Sequence, residues 1–150
     1  MATTINPANL NISITTSITL NKKTISTEND LVISGINEAD TRIVTIPSAS
    51  EVTVMNFSTI VSAGTFIGAN VKYLQIVNKD SANFVRIRVA KTAGLTYDVK
   101  LEAGKYFILG NNKESASETN AAFVAFVDID SISAQADTAP VDIEYFIATT

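Results

Sequence analysis

Residues 84–89 read Phe-Val-Arg-Ile-Arg-Val, and this alternation decides the fold class of the chain. The aliphatic residues of the stretch share one side-chain parity, whereas Arg86 and Arg88 share the other. Because successive side chains of a β-strand point to opposite faces, a strand here places its aliphatic residues in a core and its arginines outside. The stretch therefore predicts a half-buried strand of an antiparallel sheet.

Alternation of the same kind continues along the chain on both sides of this stretch. It is clearest at residues 10–20, 42–46, 97–102 and 141–147, whereas residues 71–77 form a mostly apolar run that predicts a central strand, and no segment keeps a helical period. Turns are predicted at Ser34-Gly35 and at Ala103-Gly104, the second closing a hairpin with residues 105–109. The pattern predicts an all-β protein: a single-domain, antiparallel, jelly-roll-like β-sandwich of about nine or ten strands over residues 10–150, preceded by a polar N-terminal arm over residues 1–9.

The composition favours the same fold class. Isoleucine, valine and threonine account for 49 of the 150 residues, against only seven leucines. β-Branched side chains have restricted χ1 angles and pack well on a pleated surface, whereas leucine-rich mixtures favour helices. A chain of this length can also bury a full core without disulfides or metals.

The absent residue types exclude several classes of function. The chain has no cysteine and no histidine, which removes thiolate zinc sites, cysteine nucleophiles and every triad with a histidine base. A net charge of −4 disfavours nucleic acid and anionic membranes as partners. The N-terminus lacks the features of a signal peptide, and no apolar run reaches 18 residues. We therefore expect a noncatalytic chain, without a cofactor, made in the cytoplasm.

Two acidic residues are the best candidates for chemistry. Asp128 and Asp130 share a parity and could bind Mg²⁺ or Ca²⁺ through oxygen ligands, or act together in glycoside hydrolysis. No third ligand lies near them in sequence, and nothing in the sequence requires a cleft. The favoured interpretation is two solvated charges at a strand end, with no metal and no catalytic pair.

Arg86 and Arg88 allow two interpretations. Their shared outward face could bind a phosphate or carboxylate through paired hydrogen bonds. They could equally pair across strands with acidic neighbours such as Asp98 and Glu102. Cross-strand pairing is favoured.

The N-terminal region carries very little charge. Residues 1–27 contain no acidic side chain and only two basic ones, so this region can lie along a partner surface at low desolvation cost. Together with the outward arginines and a polar loop, it supplies the predicted interface residues: Asn6, Pro7, Asn9, Lys22, Lys23, Arg86, Arg88, Asn111 and Asn112.

Residues 73–89 (YLQIVNKDSANFVRIRV) and 97–109 (YDVKLEAGKYFIL) carry a family resemblance. They resemble small β-sandwich virion proteins of tailed bacteriophages, including capsid decoration (cement) proteins and related head or tail accessory proteins. The resemblance implies a noncatalytic protein on the outer capsid surface that bridges and stabilises major capsid protein subunits, often as a trimer. It does not extend to residues 1–27.

Two alternatives remain open at this point. The chain could be a phage tail, head-fibre or host-glycan-binding module, which predicts a concave face lined by Tyr73, Tyr97, Tyr106 or Tyr145. It could also be a hydrolase that uses a carboxylate pair with Asp128 as its best candidate.

Overall fold

The structure is a computed structural model that describes residues 5–60, 62, 64–91, 96–110, 113–114 and 126–150. These residues form twelve strands, eleven of them with three or more residues, together with a short 3-10 helix and no α-helix. The strands are β1 (Ala8–Leu20), β2 (Lys23–Ile36), β3 (Glu38–Ile46), β4 (Val52–Ser58), β5 (Thr65–Ile67), β6 (Val71–Asn78), β7 (Val85–Lys91), β8 (Thr96–Leu101), β9 (Tyr106–Leu109), β10 (Lys113–Glu114), β11 (Val127–Ala136) and β12 (Val141–Thr149).

The predicted all-β sandwich is confirmed, with eleven strands of ordinary length instead of nine or ten. The alternation does not identify residues 23–30, which are mostly polar, as a strand. In the structure they belong to the 14-residue strand β2, because antiparallel pairing with β1 satisfies their backbone groups.

The strand order defines a jelly roll. One sheet, the four-stranded sheet, has the order β3-β12-β6-β9, and the other, the six-stranded sheet, has the order β5-β4-β11-β7-β8 with β10 beside β11. Eight strands pair from the outside of the sequence inwards: β3 with β12, β4 with β11, β6 with β9 and β7 with β8. One long antiparallel ribbon folded across two sheets has this connectivity, which is that of the jelly roll.

The core lies between the two sheets and follows the predicted parity. Val85, Ile87 and Val89 of β7 are fully buried, and they face the inward residues of β12, such as Ile143 and Ile147. Aliphatic side chains from both sheets form one continuous cluster. Burial of this apolar surface is the main force that holds the sheets together.

Strands β1 and β2 lie outside the sandwich as a long hairpin. They form a sheet of their own, and Asn21 and Lys22 make the tight turn with φ angles of 50° and 68°. Positive φ at both central residues is typical of the type I′ turn that suits the twist of a hairpin. At its base the hairpin packs on the outside of the four-stranded sheet, where Leu10, Ile12 and Ile33 lie against a small cluster that includes Tyr73 and Ala148.

Both predicted turns have a different role from the one expected. Gly35, with a φ of 80°, lies inside β2 at a register shift of the hairpin, so Ser34-Gly35 is a bulge and not a chain reversal. Ala103-Gly104 is a tight turn, and Gly104 has a φ of 68°. However, β8 pairs with β7 and β9 pairs with β6, so this turn carries the chain from one sheet to the other. The predicted hairpin at this position is wrong.

Candidate interaction surfaces

The hairpin has one apolar face and one polar face. Directly paired residues of an antiparallel ladder share a face, and here Ile12 pairs with Leu31 and Ile18 with Ile25. The neighbouring rungs are polar, for example Ser17 opposite Ser26. The apolar face consists mainly of Leu10, Ile12, Ile14, Ile18, Leu20, Ile25, Leu31 and Ile33.

Only the base of this apolar face is covered. Leu10, Ile12 and Ile33 are partly buried, whereas every residue from Ser13 to Val32 is exposed. About half of Ile14, Ile18, Leu20, Ile25 and Leu31 is accessible. We call residues 13–32 the distal hairpin. No described residue covers its row of apolar side chains, which is the usual sign of an interaction site.

The predicted interface residues of the N-terminal region fall at the two ends of the hairpin. Asn6, Pro7 and Asn9 are exposed at its base, and Lys22 and Lys23 are exposed at its tip. They are therefore too far apart to form one site, because the strands between them span about 40 Å at the usual rise per residue. Asn111 and Asn112 lie outside the described residues.

Arg86 and Arg88 lie on the outer face of the six-stranded sheet within a network of charges. Arg88 donates to both carboxylate oxygens of Asp98, at 2.8 and 3.0 Å, and its Nη1 lies 3.0 Å from Glu51. Arg86 pairs with Glu51 and also donates to Gln135. The favoured pairing is thus confirmed for Asp98.

The network differs from the expectation in its second acid. Glu102 pairs with Lys100, with 2.6 Å between their charged atoms. The second acid that pairs with Arg86 and Arg88 is Glu51, and not Glu102 as predicted. Sequence parity cannot identify Glu51, because it precedes β4 and reaches β7 across β11 only in the folded sheet. The hydrogen bonds from Arg88, and then its positive charge, lower the pKa of Asp98. Two arginines and two carboxylates balance each other, which leaves little net charge for an anionic ligand.

Asp128 and Asp130 lie beside a small pocket whose lining includes Phe57 and Gly68. Within the described part of the chain, no group of three or more acidic side chains is arranged to hold a metal ion. The pocket walls supply no third carboxylate, and the pair makes other contacts of its own. The geometry favours the interpretation as strand-end charges.

The four tyrosines do not form the concave aromatic face that a glycan site needs. Tyr73 is buried under the base of the hairpin, and burial raises its pKa. Tyr106 is exposed on the outer face of the same sheet, whereas Tyr97 packs against the core. Of the four tyrosines, only Tyr145 lines the groove that also contains Asp40 and Arg42, so these side chains lie on different surfaces.

That groove lies at one end of the sandwich and has a volume of about 710 Å³. At its wall the Tyr145 hydroxyl donates to Asp40 at 3.1 Å, and Arg42 pairs with the same carboxylate at 3.0 Å. Burial, followed by the charge of Asp40, raises the pKa of Tyr145. The groove has the size of a small-ligand site, but its polar groups already bind one another.

Comparisons with known proteins add no family to this description. No protein-family model matches the chain, and a search of curated proteins finds no match. In the ranges that the structure describes, no helix has the length and apolar character needed to cross a bilayer.

Proposed function

We propose that the chain is a noncatalytic virion structural protein, a capsid cement or decoration protein of a tailed bacteriophage that bridges and stabilises major capsid protein subunits. The observation that carries the proposal is the distal hairpin, whose apolar face is uncovered. A two-stranded hairpin with such a face is only marginally stable in water by itself. In an assembly, a neighbouring subunit can cover this apolar face and so stabilise the hairpin.

The remaining surface agrees with an assembly role. Among the described residues no group of three or more acidic side chains is arranged to hold a metal ion, and the outward arginines are neutralised by Glu51 and Asp98. The jelly roll is frequent in viral capsid proteins, which supports the proposal by analogy only, since one fold serves many functions. The sandwich acts as a rigid body, and repeated weak contacts over a lattice make its attachment durable.

The proposal is tested by binding to capsids. Purified protein is added to capsids of the source phage that lack it, and bound protein is measured after sedimentation. We expect saturation at a fixed number of copies per capsomer. Deletion of residues 1–9 should weaken binding, because residues 5–9, the described part of this arm, are exposed. Absence of saturable binding by the intact chain would contradict the proposal.

A second candidate function is supported by the groove beside Tyr145. Its volume falls within the range of ligand sites, and Asp40 and Arg42 offer groups that bind sugar hydroxyls. This arrangement suits a glycan-binding module of a tail or head fibre. A glycan array tests it directly: binding that a substitution of the exposed Arg42, Arg42→Gln, abolishes and Tyr106→Ala preserves would support this candidate, and an array without binding would remove it.

A further inference from the structure

We propose that the distal hairpin of one copy docks on the outer face of the four-stranded sheet of a second copy, so that neighbouring copies exchange arms. The inference deepens the proposed function, on which it rests, by naming the partner of the hairpin as a second copy of this chain.

The base of the hairpin already shows which surface its apolar face fits. Leu10 and Ile12 pack against a cluster of the four-stranded sheet that includes Tyr73, Ala148 and Phe146. The distal hairpin continues the same apolar face along the same two strands. The packing of the hairpin base on its own sheet therefore shows the kind of contact that we propose between the distal hairpin and the sheet of a second copy.

The receiving surface continues from that contact across the same sheet. Ala39, Ala148 and Tyr73 form one row of the outer face, and the hairpin base covers Ala148 and Tyr73. The next row contains Thr41, Phe146, Gln75 and Ile108, and Phe146 also packs against the base cluster. The following row contains Ile43, Glu144, Val77 and Tyr106. Successive rows of one face are about 7 Å apart, so these two rows form a platform about 14 Å deep beside the base.

This platform carries apolar side chains that are exposed in the described part of the chain. Ile43 is 65%, Tyr106 63% and Ile108 42% exposed. The distal hairpin and the platform are thus two uncovered apolar surfaces of one molecule. Docking one on the other removes both from water, which is favourable in proportion to the apolar area buried.

The charges of the two surfaces are complementary. The tip of the hairpin carries Lys22 and Lys23, and no acidic residue precedes Glu28 in the chain. The outer face of the four-stranded sheet carries Asp142 and Glu144 on β12, where Glu144 also pairs with Lys79 at 3.0 Å and Asp142 accepts from the Thr45 hydroxyl at 2.6 Å. A lysine tip laid towards these carboxylates gains attraction, whereas two hairpin tips laid side by side would repel each other.

Arm exchange doubles the contact between two copies. The segment from Ile14 to Leu20 is about 20 Å long, and two strands are about 10 Å wide, so one hairpin face covers roughly 200 Å². One such face is small beside the roughly 800 Å² per partner of a standard interface. A copy that gives its own arm and receives another has two such contacts, roughly 400 Å² per partner, which is about half of a standard interface.

The test uses the full chain and two paired substitutions on adjacent rungs of the hairpin. Ile18→Asp/Ile25→Asp places two charges on the apolar face, and Ser17→Asp/Ser26→Asp places the same charges on the polar face. Sedimentation equilibrium measures self-association, and circular dichroism checks that each variant is folded. We expect the wild type and the serine variant to associate equally, and the isoleucine variant to bind about 30-fold more weakly or worse.

A third variant distinguishes arm exchange from stacking of two hairpins. Ile43→Asp/Ile108→Asp changes only the platform and should weaken association as strongly as the isoleucine hairpin variant. Mixing these two variants should restore a complex, because an intact arm then meets an intact platform. Association that survives the platform variant would overturn the inference, as would a wild-type chain that stays monomeric at about 100 μM, far above the dissociation constants of stable complexes.

The failure of this inference differs from the failure of the proposed function. A monomeric chain that still binds capsids saturably overturns arm exchange and leaves the cement proposal standing. A chain that exchanges arms but does not bind capsids contradicts the cement proposal and supports arm exchange.

Discussion

Ile18 and Ile25 lie directly opposite each other on the hairpin ladder, and about half of each residue is exposed, 51% and 54%. Cross-strand isoleucine pairs stabilise a sheet when a third layer covers them. No residue of the described chain covers this pair, since the whole distal hairpin is exposed. We therefore expect the pair to contribute to the affinity for a partner and little to the folding stability of the monomer.

The first prediction concerns stability. Ile18→Thr/Ile25→Thr should change the free energy of unfolding by less than about 1 kcal/mol, because exposed side chains have little burial to lose. Ile143→Ala, a change in the core, should cost about 2–5 kcal/mol. Urea denaturation of dilute, monomeric protein measures both. A loss above about 2 kcal/mol in the threonine variant would show that the pair packs within the monomer.

The second prediction concerns local opening of the hairpin. In dilute monomeric protein, amides of the distal hairpin should exchange with solvent at least about 100-fold faster than those of β6 and β12, because few apolar contacts hold the hairpin closed. Hydrogen exchange followed by mass spectrometry resolves these segments. When the protein concentration rises into the range of self-association, protection should increase selectively in residues 13–32 and around Ile108. Equal protection of hairpin and core in the monomer would contradict this description.

The third prediction concerns pH and the pair of Arg88 and Asp98. Arg88 lowers the pKa of Asp98 below its value in the unfolded chain, so the pair stabilises the fold above the unfolded value of about 3.9. This contribution is lost as the pH falls through the lower pKa of the folded state. The Asp98 side chain is 40% exposed, and solvent screening limits the effect to about 1 kcal/mol.

Asp98→Asn should accordingly lower the unfolding free energy at pH 7 and leave it almost unchanged near pH 2. Glu102→Gln is the matched control, because the more exposed pair of Glu102 and Lys100 should contribute less. Denaturation curves across this pH range measure both variants. A deficit of Asp98→Asn that persists undiminished at pH 2 would contradict the assignment.

The fourth prediction concerns Asn78, which joins the two sheets at one end of the sandwich. Only 1% of this residue is exposed, and its amide donates to the carbonyls of Asn83 at 2.9 Å and of Leu101 at 3.0 Å. Its side-chain oxygen accepts from the backbone amide of Asp80 at 2.9 Å. Asn78→Ala leaves these buried groups without partners and should cost at least about 2 kcal/mol.

Asn29→Ala on the exposed hairpin is the control for this substitution and should cost less than about 0.5 kcal/mol, as is usual for surface positions. Thermal denaturation compares the two variants. Equal midpoints would show that Asn78 does not hold the sheets together.

The parity of side chains could be predicted from the sequence, because burial of one sheet face imposes a period of two. Val85 and Ile87 point inwards as expected, and so do Val141 and Ile143 of β12. Strand partners could not be predicted in this way, because strand pairing depends on contacts between residues that are distant in sequence. This is why the turn at Gly104 has the signature of a hairpin although it joins strands of different sheets.

The candidate interaction surface was only partly predictable. The apolar parity of β1 is visible in the sequence. However, the same alternation occurs in a strand that packs on the core of its own chain and in a strand whose apolar face binds another molecule, so the sequence does not distinguish the two. Two features hide the hairpin itself: β2 begins with mostly polar residues, and Lys22 stands at the turn position where glycine gives the clearest signal. The platform of Ile43 and Ile108 requires strands from opposite ends of the chain, so only the folded sheet reveals it.

We propose that this jelly roll, with its exposed hairpin, covers a capsid lattice. Counting its copies in virions tests this proposal most directly. Quantitative peptide mass spectrometry on purified particles of the source phage gives the ratio of this chain to the major capsid protein. The proposed cement function predicts hundreds of copies, in a fixed ratio to the major capsid protein. About a dozen copies would place the chain at the portal, tail or fibres, and absence from the particles would contradict a virion role altogether.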